Sequence, residues 1–288
     1  MLYRIRRLVE KSRSWNRYLR FTEYNGEFGY ELIAIIPYAF WLHKQGTLKF
    51  TLGAKDTKCL YYFSPKHYEC FSKRLFQTLR GYPIEDIHVS DLDLSQWIAP
   101  PYKQIYKNSE FVWDKEIVVL FNKYNSEWNG PPITFLDKEI LGELISSLEN
   151  RFQVVYVRPT AKEILDDASM NYDLNEYAYI RERFPNTILI QDLHGRYPEL
   201  TYNALQMRLF SNCESFVSVQ GGSAILCSYF GGTNVIYAKK GPTRSRTAAE
   251  LEVDAYNRWY HEFSGCRIVH ADDYESLLRS INEQFLLP

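Results

Sequence analysis

The second half of this 288-residue chain alternates short apolar segments with helical ones, and that rhythm is its tightest constraint. Phe152 to Val157 (FQVVYV) reads as a buried strand, Leu174 to Arg183 as a helix, Thr187 to Ile190 (TILI) as a strand and Thr201 to Phe210 as a helix. Ser215 to Val219 (SFVSV) is a third strand, running into Gly221-Gly222-Ser223 and a short helix from Ala224 to Phe230. Asn234 to Ala238 and Cys266 to His270 are further strands, and Asp272 to Phe285 is an amphipathic helix capped by Asp272 or Asp273. Parallel strands covered on both faces read as continuous apolar runs, and their alternation with helices predicts a doubly wound α/β sheet.

The first half is less regular but similar in kind. Leu19 to Tyr24 predicts a strand, Asn25 to Gly29 a tight loop, and Tyr30 to Lys44 a helix stopped by Gly46. Further strands are predicted at Phe50 to Leu52, Ile87 to Val89 and Ile117 to Phe121, followed by a helix from Asp137 to Asn150. At ~150 residues per domain the length suits two domains. The expected division is 1–150 and 151–288, two α/β layers facing each other.

Charge and cysteine usage narrow the partners. Lys+Arg 34 against Asp+Glu 35 gives a net charge of -1, which argues against a broadly basic nucleic-acid binder. The five cysteines are odd in number, scattered and without a CxxC pair, so neither a disulfide framework nor a zinc ribbon is expected. With no Asn-x-Ser/Thr acceptor, no signal-type leader and no apolar run near the ~20 residues of a membrane span, the expected compartment is the cytoplasm. Residues 1–20 carry seven basic side chains and one acid, with Leu2, Ile5, Leu8 and Val9 at helical spacing. That segment suits a weak peripheral contact with anionic lipid, although a solvated helix packing a short apolar stripe is the favoured reading. The 23 tyrosines offer flat surface with a polar tip, suited to sugars and nucleobases, and aromatics serve more often in packing.

The segment Phe216 to Tyr237 (FVSVQGGSAILCSYFGGTNVIY) carries the strongest chemical signal. A strand delivers the chain to Gln220-Gly221-Gly222-Ser223, where missing side chains and a helix start admit an anion close to backbone N–H groups. Neither GxGxxG nor a P-loop lysine is present, which counts against a nicotinamide enzyme. Over roughly residues 150 to 285, this strand, turn, small-residue helix and "GGTNVIY" strand resemble the donor half of GT-B glycosyltransferases. The loop "NGEFGYELIAIIP", after the first strand and opening a proline-containing helix, is similar to the first loop of heptosyltransferases.

The resemblance implies a compact GT-B arrangement of two Rossmann-like domains facing across a cleft. It implies an inverting, metal-independent transfer of a sugar from a nucleotide diphosphate donor to a glycan hydroxyl. UDP-xylose, GDP-fucose and a heptose donor all suit it, and no cofactor is expected. Glu27 or Glu31 would be the catalytic base, and the 220–223 turn would hold the diphosphate. Arg158, at the end of FQVVYV, would neutralise the leaving group, as in fucosyltransferase-like enzymes; an interdomain salt bridge is the equal alternative. Asp192 and His194, in the loop "QDLHGR", would lie near base or ribose, and Arg208 is a second cation candidate. Lys239, Lys240, Arg244 and Arg246 form a charged loop that either closes over phosphates or is solvated. Trp97, Tyr102, Trp128 and Tyr172 could stack on sugar faces. Asp91-Leu92-Asp93 opens the alternative of a metal-dependent GT-A-type enzyme. A non-catalytic nucleotide- or glycan-binding module on the same fold is the remaining alternative.

Overall fold

The computed structural model describes residues 20–75, 79–85, 87, 94–126, 131–159, 171–239 and 260–287. Residues 1–19 of the basic N-terminal segment, His88 and Val89 of one expected strand, Asp91, Asp93, Trp128, Lys240, Arg244 and Arg246 lie outside these residues. The chain divides into two units, Met1–Pro100 and Pro101–Pro288. Among the described residues all strand pairings are parallel in both units, apart from one isolated antiparallel bridge. The fold is therefore α/β with Rossmann-like parallel sheets. No helix among the described residues is long and apolar enough to cross a membrane.

The first unit holds a three-stranded sheet in the order β1 (Phe21–Glu23), β2 (Phe50–Ala54), β3 (His67–Phe71). Helix α1 joins β1 to β2 and is built from a turn at Phe28–Tyr30, a π-helical segment Glu31–Ile35 and an α-helix Ile36–Lys44. Pro37 explains the wide segment: proline has no N–H to give to the carbonyl four residues earlier, and its ring crowds that carbonyl. The carbonyl concerned belongs to Ile33, and the buried indole Nε1 of Trp97 donates to it at 2.7 Å. Trp97 is thus a core side chain and not the sugar-stacking one expected.

Among its described residues the second unit has a six-stranded sheet in the order β6-β5-β4-β7-β8-β9. These are β4 (Glu116–Phe121), β5 (Phe152–Val157), β6 (Ile188–Leu189), β7 (Ser215–Val219), β8 (Thr233–Tyr237) and β9 (Arg267–Ala271). Its helices are α2 (Tyr102–Tyr106), α3 (Lys138–Leu148), α4 (Glu176–Arg183), α5 (Ile190–Arg196), α6 (Tyr202–Phe210), α7 (Gly222–Ser228) and α8 (Tyr274–Ile281). Asp137 caps α3 by accepting from Ile140 N, and α3 then buries Ile140, Leu141, Leu144, Ile145 and Leu148. Each such side chain contributes ~1.5–3 kcal/mol of burial. They pack with α4 and α8 on Val118, Leu120, Val154, Tyr156, Val217 and Val235.

This sheet corrects the boundary expected near residue 150. Strand β4 hydrogen-bonds to β5 on one side and β7 on the other, so it is central to the second sheet. Helix α3 is the β4–β5 crossover and belongs with it. The division falls instead at Pro100-Pro101.

Candidate functional site

Numbered within its own unit, the six-stranded order is 3-2-1-4-5-6, and it reverses between β4 and β7. Helices that cross over in opposite directions leave a crevice outside the carboxyl ends of two such strands, where open α/β sheets place their ligands. Phe121 of β4 lies opposite Ser218 of β7, so Lys123 and the turn at Gln220-Gly221-Gly222-Ser223 share this rim.

The turn is built tightly. Gln220 N donates to Tyr237 O at 2.9 Å, extending the β7–β8 ladder by one step. Gly221 then takes φ 115°, ψ −159°, a conformation that is essentially glycine's alone, and α7 begins at Gly222. Ser223 Oγ donates back to Val219 O at 2.7 Å. Underneath, Asn234 of β8 gives its amide N–H groups to Ala224 O and Ser228 Oγ, both at 3.1 Å, and accepts from Ser218 Oγ at 2.7 Å. This buried clasp fixes α7 to β7 and β8 and so holds the backbone at 221–223.

Across the crevice, Asn122 is wholly buried and its side chain bonds to Leu136 N and O, Lys123 N and Tyr156 OH. That anchors the chain leaving β4. Lys123 Nζ then sits 3.7 Å from the position a Cβ on Gly221 would take. An ammonium group beside a glycine turn at a switch point is suited to a phosphate, for which lysine acts as a compact point charge. Lys123 was not singled out from sequence, because only the topology puts it next to Gly221.

Several expected site residues lie elsewhere or are already engaged. Arg158 ends β5 as expected, but only 4% is exposed and its guanidinium is paired through two nitrogens with Glu176, at 2.5 and 3.3 Å. Burial works against its charge, and the hydrogen bonds and charge of Glu176 outweigh burial and keep it ionised. It is a structural pair within one unit, neither a phosphate ligand nor an interdomain bridge. Asp192 and His194 belong to helix α5, not to a loop; Asp192 pairs with exposed Arg181 at 2.7 Å, and His194 Nε2 contacts Leu200 O at 3.0 Å. Arg208 lies in the last turn of α6, which leads into the amino end of β7, so it is on the opposite rim. There it pairs with Glu110 and covers Phe111.

Glu31 is fully buried within the π-helical segment, with Arg74 Nη2 at 2.6 Å and Tyr61 OH at 2.9 Å. Arg74 also donates to Gly26 O at 2.9 Å and covers the Phe28 ring, so this pair holds the "NGEFG" loop from beneath. Burial, with Glu31 and Glu27 close by, pushes the Tyr24 phenol far up. Glu27 itself is exposed, at the N-cap of α1, with no side-chain capping bond. Of the two expected bases, Glu31 is buried and Glu27 is exposed. Tyr102 is fully buried against Tyr229 and Phe230, so it stacks on no ligand; Tyr172 stays half-buried at the carboxyl rim. A shallow groove lined by Glu139, Gly142, Tyr179 and Arg183 runs between α3 and α4.

The fold and this crevice define a Rossmann-like α/β protein with an anion-suited switch-point site. No protein-family model matches the chain, and no curated protein matches it in sequence.

Proposed function

We propose that the second unit binds the diphosphate of a nucleotide-sugar and that the protein is a glycosyltransferase acting on a glycan hydroxyl. The observation that carries this reading is the close approach of Lys123 Nζ to the glycine-only backbone at Gly221, across the strand-order reversal. In an inverting transfer the acceptor oxygen bonds to the anomeric carbon as the carbon–diphosphate bond breaks. The acceptor proton passes to a base, and charge accumulates on the departing diphosphate. Glu27 is the base in this reading, while Lys123 and the 221–223 backbone take the role first expected of Arg158. The compact GT-B arrangement, with the first unit on the acceptor side, and a cytoplasmic location belong to the same proposal.

Calorimetric titration with UDP and GDP, on the wild type and on Lys123→Ala, tests the binding site. A charge-assisted contact of ~1.5–3 kcal/mol means a loss of about 10- to 150-fold in affinity. Turnover of UDP-xylose, GDP-fucose and a nucleotide-heptose in excess EDTA tests the chemistry. Activity lost in EDTA and restored by manganese would move the reaction to Asp91 and Asp93. One observation favours a non-catalytic nucleotide-binding module instead: Glu31 and Arg158, both expected in the chemistry, are neutralised in buried ion pairs. Nucleotide binding without turnover of any donor or acceptor pair would establish that second reading.

A further inference from the structure

The loops that leave β4 and β5 are joined into a ledge beside Lys123. Tyr172 N donates to Tyr124 O at 2.8 Å, and Asn125 and Asn171 form an isolated antiparallel bridge. The Tyr124 ring centre lies 4.6 Å from that of Phe135 and 5.8 Å from that of Tyr172, with interplanar angles of 59° and 60°. The ledge rests on Arg158, whose Nη1 donates to Asn171 Oδ1 at 3.4 Å and to Tyr172 O at 3.3 Å while Glu176 holds its other nitrogens. Both tyrosines are half-buried, with part of each side chain at the surface.

We infer that this ledge, formed by Tyr124, Tyr172 and Asn125, is the platform for the nucleobase of a nucleotide whose phosphates lie at Lys123 and Gly221. The inference rests on the phosphate reading given above. Two independent features point to a base. An aromatic side chain at a solvent rim offers a stacking face, and every nucleobase has a π-face to match. Asn125 Oδ1 is buried, and among the described residues no hydrogen-bond donor reaches it. Such an acceptor lowers stability until a donor arrives, and ring N–H and exocyclic amine groups of bases are donors of the required kind. Tyr124 and Asn125 directly follow Lys123, so base and phosphates would be read by consecutive residues.

The test is calorimetry on the full chain with inorganic pyrophosphate, UDP, GDP and ADP. At least one nucleoside diphosphate is expected to bind ten-fold or more tighter than pyrophosphate. Tyr124→Leu and Asn125→Leu should each remove that preference, by about 5- to 150-fold for the stacking residue, and leave pyrophosphate affinity unchanged. Tyr124→Phe should retain it. If Tyr124→Leu does not fold, Asn125→Leu and Tyr172→Leu ask the same question. Pyrophosphate binding that Lys123→Ala weakens, with no base preference or one untouched by the ledge variants, overturns the platform and leaves the phosphate site standing. A chain that binds neither pyrophosphate nor any nucleotide overturns both.

Discussion

Replacing Glu31 by glutamine separates a structural acid from a catalytic one. The side chain is fully buried, 2.6 Å from Arg74 and 2.9 Å from Tyr61 OH, and Arg74 is only 5% exposed. Glutamine keeps the shape and still accepts from Tyr61, but it leaves the guanidinium charge uncompensated in the interior. Removing one member of a buried pair costs ~3–5 kcal/mol, a large part of the ~5–15 kcal/mol that stabilises a domain. At a urea dependence of ~1–3 kcal/mol per molar, the unfolding midpoint should fall by about 2 M. Arg74→Met should cost a similar amount. The double variant should recover much of the loss, since neutral groups replacing a whole pair are often near neutral in effect. The assay is urea unfolding followed by tryptophan fluorescence, with Trp41 and Trp97 in the first unit. If Glu31→Gln unfolded at the wild-type midpoint and lost only turnover, the ion-pair argument would be refuted and Glu31 would return as a base.

Four further outcomes follow from the same geometry. Gly221→Ala, at φ 115°, should lose ~1–3 kcal/mol of stability together with anion affinity; Gly195→Ala, in α5 with open space around its Cβ, should be neutral or stabilising by ~0.5–1 kcal/mol. Thermal melts with and without pyrophosphate decide both. Burial lowers the His67 imidazole from 6.5 to about 4. Its neutral form therefore adds stability that is complete above pH 6.5 and lost as pH falls towards 4. Discounted for partial exposure, that is ~1–2 kcal/mol, and His67→Gln should flatten the denaturation curve over this window. Glu27→Gln should lower kcat by ~10²–10⁴-fold with nucleotide affinity unchanged; near-normal turnover would remove Glu27 as the base.

The second sheet was legible because strands covered on both faces must be apolar throughout, as in FQVVYV and SFVSV. Strand β3 (HYECF) was not legible, since it lies at the sheet edge with its side chains partly or largely exposed, and carries no such run. The apolar run Ile117 to Phe121 marks its own strand, but apolar pattern says nothing about which sheet a strand joins, and β4 lies in the second sheet and not with the first half. The Pro100-Pro101 pair was the available boundary signal. At the site, the glycine turn was visible, since its chemistry is local. The pairing of Glu31 with Arg74, 43 residues on, and of Arg158 with Glu176, 18 residues on, was not. An isolated charge at a strand end or helix start looks functional until the fold supplies its partner.

The parallel pairing of β4 with β7 also bears on how the molecule acquires its site in time. Val118 and Ser215 meet only after the chain closes a loop of about a hundred residues, whereas β4 and β5 are joined through a single helix. Non-local parallel pairing is slow, since the entropy of closure is lost before contacts reward it. A partly folded second unit with β6, β5 and β4 aligned would have Lys123 on one edge and nothing opposite it. The crevice comes into being only when β7 docks, so any ligand that binds there selects the finished sheet. Ligand-dependent protection of the β7 and β8 amides from hydrogen exchange would therefore report how strongly the ligand is coupled to the docking of β7.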